Sequence, residues 1–465
     1  MTKFLALVLS LLIVFSLTAI FGRIDWADQA ACLLVLALPV LAFAQLRVRE
    51  AYLLIICVAL TATAYWLGHD LAGLIWMGLS QSAYLASFIL LVALLREAAV
   101  SSKSVVAIGH FLTRQPPHRR FTAIFSGAHA LAVMINLGAL SLLAPIIQKG
   151  IEAEQATGRS TKAAIDLMEK RQLTATLRGF CWFLVWAPTA VTQAVMPRAM
   201  NDISIPRLMA AGLCLAFIMY LISWWEDRWQ HRHVAVESHE PSDLPILPHR
   251  ALMRFGSVCI LLFALTIGFS QLGGTSLISG VMLAAPIVVT AWLIIQKQSS
   301  ALPAGRGREM LLVALPGYGR EAVFIACAGF IGTMAGQLVP SDQWAQMLNL
   351  AAMPKWFVLL MLSVTVLIFG QLGLSPITLA IVLASVVAQI SQLPVDQTQA
   401  ALAIAAGTAI CTVGAPFSSG AVLLSRVTGL DARTITWRWN GLYVFLCIIA
   451  LGLFYYFWTL AGSVF

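Results

Sequence analysis

Gly370-Gln371-Leu372-Gly373-Leu374-Ser375-Pro376 cuts an apolar run, 356–391, near its middle. A second run, 121–148, is cut in the same way at Ile135-Asn136-Leu137-Gly138. Lipid offers no partner to backbone N–H and C=O groups, so a helix interrupted at membrane depth must fold back or line a cavity. Each half is about two to four helical turns long, short of the ~20 apolar residues that span a bilayer. The two runs therefore read as re-entrant hairpins, each entering and leaving on one side.

Around them lie apolar segments at 4–21, 29–45, 51–67, 73–95, 173–197, 206–225, 255–272, 275–295, 319–338, 398–424 and 437–461, which read as eleven full spans. The chain has 465 residues, of which 60% are hydrophobic and 11% charged. A soluble domain carries roughly twice that charge, so a soluble enzyme, a disordered scaffold and a collagen-like fibre are excluded. Strands of an outer-membrane barrel alternate, which these continuous runs do not. The expected fold class is an all-α polytopic membrane protein with eleven transmembrane helices and two re-entrant hairpins. The formal charge of +9 belongs to cytoplasmic loops, not to nucleic-acid binding. With the N-terminus inside and the C-terminus outside, 24 of the 29 Lys and Arg face the cytoplasm. Reading either hairpin as a single span would invert every later loop and destroy this bias. The expected location is a bacterial-type inner membrane. The eight cysteines sit in apolar runs without a CxxC pair and read as buried hydrophobes.

The order of elements occurs twice. A first helix (1–28) precedes a first unit, 29–225, with hairpin 121–148, and a second unit, 255–465, with hairpin 356–391. Each unit holds five spans, so the second enters the membrane upside down. Each also has an amphipathic stretch before its hairpin, Ser102–Phe121 and Ser341–Ala352. A polar cytoplasmic linker, 226–254, joins them; His231, His233, Glu237, His239 and Glu240 give it loose metal-ligand character, but a solvated loop is the better reading and no metal site is expected.

Within each unit one span is broken, at Trp186-Ala187-Pro188-Thr189 and at Thr412-Val413-Gly414-Ala415-Pro416-Phe417-Ser418-Ser419. Proline removes a helical hydrogen bond, and the half-helix ends then expose N–H groups that suit anions or carbonyls that suit cations. Inverted repeats with paired broken helices point to a secondary transporter whose site lies at the repeat interface. The residues expected at a solute or ion site are Asn136, Gly138 and Ser141 at the first tip and Gln371, Gly373, Ser375 and Thr378 at the second. Pro188, Thr189, Thr412, Gly414, Ser418 and Ser419 join them at the breaks. As helix caps or turn formers the same residues would be purely structural. Arg178, inside a span, either meets an anionic solute or snorkels to the headgroups. His129 in the first hairpin arm either couples protons or is a hydrogen-bonded buried histidine. All twenty acids fall in loops or at span ends, with none expected near a break, which favours an anionic or polar neutral solute over a cation.

On these elements the chain resembles the ion transporter superfamily, which includes the divalent anion/sodium symporters. Their hairpin tips bear a Ser-Asn-Thr signature; here the first tip keeps Asn136, and the second keeps Ser375 with Thr378 nearby. Their second broken helix often carries Gly-x-Pro-Pro-Asn, where this chain reads Gly414-Ala415-Pro416-Phe417-Ser418. The resemblance implies transport of an organic acid or oxyanion, coupling to Na⁺ or H⁺ without a further cofactor, an elevator motion, and a homodimer as a candidate assembly. No catalytic residue is expected. The rival readings are a cation or metalloid exporter on the same scaffold and a membrane-embedded transferase acting on a lipid-linked substrate.

Overall fold

The computed structural model describes residues 2–158, 160–200, 202–232, 246–299 and 305–461. Most of the linker histidines and acids therefore lie outside the described residues. The described chain is all helical. It opens with α1 (Thr2–Gly22), α2 (Asp25–Leu41), α3 (Val48–Trp66), α4 (Leu71–Val100) and the short amphipathic α5 (Lys103–Thr113). The first hairpin is α6 (Pro117–Ile135) and α7 (Gly138–Thr157). The first broken helix is α8 (Lys162–Cys181), a 3₁₀ turn at Trp182–Val185, and α9 (Val191–Ala199). Then come α10 (Ile205–His231), α11 (His249–Gly273) and α12 (Leu277–Ser299). Two short turns, α13 (Arg306–Glu309) and α14 (Leu315–Gly317), lead into α15 (Gly319–Leu338) and α16 (Ser341–Met347). The second hairpin is α17 (Lys355–Gln371) and α18 (Pro376–Val387), the second broken helix α19 (Gln397–Gly414) and α20 (Ser419–Thr428), and α21 (Trp439–Ala461) closes the chain.

Among the described residues, nine helical stretches are long and apolar enough to cross a membrane, and the protein is a multi-pass membrane protein. Burial sorts them. In the most apolar window of α4, 83% of residues are buried, and in that of α19–α20, 94%; in α3 the share is 17% and in α11, 22%. A helix apolar all round belongs in the centre when buried and against lipid when exposed. Hence α4, α15 and α19 form the core, and α3, α10, α11 and α21 form the rim. Close packing at the centre relies on small residues. A Cβ on Gly407 of α19 would stand 2.6 Å from the Ser363 carbonyl of α17, and one on Gly332 of α15 2.3 Å from Ile381 of α18.

Two expectations need correcting. The arms of the first hairpin are 19 and 20 residues, about 28–30 Å each, not two to four turns. Polar turns at Pro117-His118-Arg119-Arg120 and beyond Gln148 extend them past the apolar run. The amphipathic stretch expected over Ser102–Phe121 ends at Thr113, and α6 begins anew at Pro117, because Pro116 and Pro117 cannot donate to a continuing helix. The hairpins pack across the halves: α7 lies against α8 and α20, and α18 against α9, α15 and α19. That exchange brings each tip to the broken helices.

Candidate solute site

Both tips are tight turns with a residue at positive φ. Asn136 adopts φ +48°, ψ −129°, and Leu137 follows at φ −54°, ψ −19°. These angles are those of a type II′ turn, whose first central position normally takes glycine. At the second tip Gly373 holds φ +91°, and Ser375 and Pro376 start α18.

Asn136, Leu137, Ser375, Pro376 and Ile377 of the two tips line one cavity of about 480 Å³. Leu184, Val191 and Thr192 of the first break line it too, as do Thr408, Thr412, Phe417 and Ser419 of the second. Four chain segments that share no local sequence contact therefore meet. The side chains of Asn136, Ser375 and Ser419 make no hydrogen bond to another described residue, which leaves an amide and two hydroxyls for a solute.

Charge enters from helix ends. Arg49, Arg96, Arg320 and Arg426, with Glu50 and Glu321, border the same cavity. Glu50 is 2% exposed, and its carboxylate accepts from Arg320 Nε at 3.0 Å and from the Arg47 backbone N–H at 3.0 Å. Arg49 lies 3.9 Å over the Phe324 ring, and Arg96 5.2 Å over Tyr318. With Glu50 engaged by Arg320, three arginines face one carboxylate, Glu321. The cavity thus carries a cationic excess. Carboxylates near the breaks were not expected from the sequence; Glu50 and Glu321 are at span ends, but the cavity reaches those ends. Thr192, Thr408 and the four arginines are likewise lining residues that sequence reasoning missed. Arg96 packs on Gly138 of the first tip: a Cβ there would stand 2.9 Å from Arg96 Cγ.

The other expected residues do not line this cavity. Thr189 donates to the Val133 carbonyl at 2.5 Å and ties the first break to the first hairpin, with Pro188 beside it. The Leu184 carbonyl, freed by the break, accepts from Thr192 at 2.7 Å and Gln193 at 3.2 Å. Ser141 donates to the Leu137 carbonyl at 3.2 Å. Gln371 donates to the Gly414 carbonyl at 3.0 Å and accepts from the Trp437 indole at 3.0 Å, which holds the second tip against the second break. Ser418 caps α20 and donates to the Thr412 carbonyl at 2.8 Å. Thr378 has a buried hydroxyl without a hydrogen-bond partner among the described residues, outside the cavity lining.

Arg178 does not reach the cavity, and it does not snorkel. It is 2% exposed and donates to Glu226 at 2.6 Å, Asn440 at 2.7 Å and Ser223 at 3.3 Å, with its guanidinium 4.1 Å over the Tyr443 ring. A buried guanidinium needs a full set of acceptors, and α10 and α21 supply them. His129 is also committed. The ring contacts are Nδ1 to the Gly179 carbonyl at 3.0 Å and Nε2 to the Trp186 indole N–H at 3.0 Å. An indole only donates, so Nε2 must accept and Nδ1 must carry the proton. Both ring nitrogens are thus occupied by contacts within the chain. Among the described residues no group of three or more His, Cys, Asp or Glu is placed to hold a metal ion.

The same fold occurs in a known structure. The chain superposes on the crystal structure of the Alcanivorax borkumensis YdaH transporter, described as having an unusual topology, with a TM-score of 0.63 and 16% identity. The match covers 90% of this chain and 99% of that one. No protein-family model matches the chain. No curated protein matches it in sequence.

Proposed function

We propose that this protein is a secondary active transporter of a small anionic solute, an organic acid or an inorganic oxyanion, and not an enzyme. The observation that carries this reading is the meeting of both hairpin tips and both helix breaks around one cavity with an excess of arginine. A helix-end amide, hydroxyls and guanidinium groups are the donors an anion needs. The likeness in fold to a transporter supports the same reading. So does the packing of α4 on α15, which are equivalent helices in the two units. We take the units 29–225 and 255–465 as inverted repeats, the hairpins as re-entrant, and the scaffold as that of the ion transporter superfamily, working by an elevator motion in an inner membrane.

With the N-terminus inside, Arg49, Arg96, Arg320 and Arg426 all sit at cytoplasmic helix ends, so the cavity is open to the cytoplasm. Coupling to Na⁺ or H⁺ then uses backbone carbonyls at the breaks or Glu321, the carboxylate not engaged by an arginine at bonding distance. Flux in proteoliposomes tests the reading. Asn136→Ala and Ser375→Ala abolish uptake of an anion that the wild type carries, without loss of membrane insertion. Wild-type uptake in both removes the tips from the site.

A further inference from the structure

A second cavity, of about 630 Å³, lies at the other ends of the helices that line the first. Helix α4 contributes Ser80 and Gln81 to it and Ile89 and Arg96 to the first; the eight residues from Gln81 to Ile89 put about 12 Å between the nearest lining positions along the axis. Helix α15 gives Gln337 here and Glu321 there, and α18 gives Ser385 here and Pro376 there, with Gln389 just past its end. Asp28 and Arg198 complete the charged lining. Asp28 accepts the Ser80 hydroxyl at 3.0 Å and has no ion pair among the described residues. Arg198 stacks 4.2 Å over the ring of Tyr84, which occupies the face of the guanidinium and leaves its N–H edge free; it too has no ion pair among the described residues. An adjoining hollow of about 310 Å³ shares Asp28, Ser80 and Arg198 and adds one further charge of each sign, Arg23 and Asp25.

Opposite charges that border one cavity without closing on each other match a ligand that carries both signs. Resting on the transport reading above, we propose that this cavity is a second solute site, on the outer side, and that the solute is an amino-acid-type zwitterion. Arg198 takes the carboxylate through its N–H edge, Asp28 takes the ammonium, and the glutamines complete the polar shell. The inner cavity has the same mixture: free arginines for acid groups and Glu321 for an ammonium. A net-anionic amino acid satisfies both ends of the path.

The test uses the purified full-length protein with glutamate and with glutarate, which lacks only the ammonium. Glutamate raises the thermal midpoint at about tenfold lower concentration than glutarate, the factor expected for one charge-assisted hydrogen bond. Asp28→Asn brings the two ligands together, and Arg198→Gln weakens both. Should Asp28→Asn not fold, Ser80→Ala must weaken glutamate and leave glutarate unchanged. Equal potency of the two ligands in the wild type, or a gap that survives these variants, overturns the assignment. Proteoliposomes separate the two readings: uptake of glutarate without glutamate defeats the zwitterion and leaves transport standing. Binding of glutamate with no flux of either solute defeats transport and leaves the outer site standing.

Discussion

Replacing Glu226 with leucine tests whether Arg178 holds the scaffold together or serves the solute. In the wild type the pair is 2.6 Å apart, with both side chains 2% exposed. Removing Glu226 leaves the guanidinium with Asn440, Ser223 and the Tyr443 ring, none of which carries a negative charge. Breaking one partner of a buried pair costs about 3–5 kcal/mol, because the other charge stays buried and unpaired. Replacing both by apolar side chains of similar volume is neutral or better on the same grounds. Glu226→Leu alone therefore lowers the thermal midpoint by several degrees, and Arg178→Met with Glu226→Leu recovers most of the loss. The measurement is thermal unfolding of the purified protein in detergent, paired with flux in liposomes. The double variant keeps the wild-type KM, since Arg178 lies outside the cavity. A double variant that is stable yet fails to bind solute would refute this account of Arg178.

Asn136→Gly relieves a backbone conformation that costs a non-glycine residue of order 1–3 kcal/mol. It raises or preserves thermal stability while flux is lost, and loss of stability would show that the amide serves the turn instead. Gly138→Ala pushes Arg96 off the first tip, and Arg96→Gln removes its charge; both raise the KM for an anionic solute with little change in folding, read from uptake at varied concentration. His129→Phe leaves the pH profile of uptake unchanged, because the ring already works as a neutral linker between Gly179 and Trp186. A shifted profile would restore it as a proton carrier.

The helix interruptions were readable because they are local. Asn-Leu-Gly and Gly-Leu-Ser-Pro break a helix by their own backbone preferences, and the chain turns at those residues. The same applies to Pro188 and Pro416. Which polar residue at a break faces the cavity was not readable. Thr189 and Thr192 are three positions apart in one segment, yet Thr189 bonds Val133 and only Thr192 lines the cavity. Thr189 lies in the turn before α9 and Thr192 in its first turn, and the packing of the break against the first hairpin decides which of them faces the cavity.

Apolar periodicity and helix breakers by themselves define a multi-pass helical chain with two fold-back points and two broken helices, since each depends on neighbours along the chain. Tertiary structure alone decided where the charges go. Arg178 found Asn440 across 262 positions, and Arg96 crossed to Gly138 of the first tip. Charges at helix ends look alike in sequence. Only the way helices pack determines whether a guanidinium meets a carboxylate and is neutralised, or stays unpaired at a cavity and waits for a ligand.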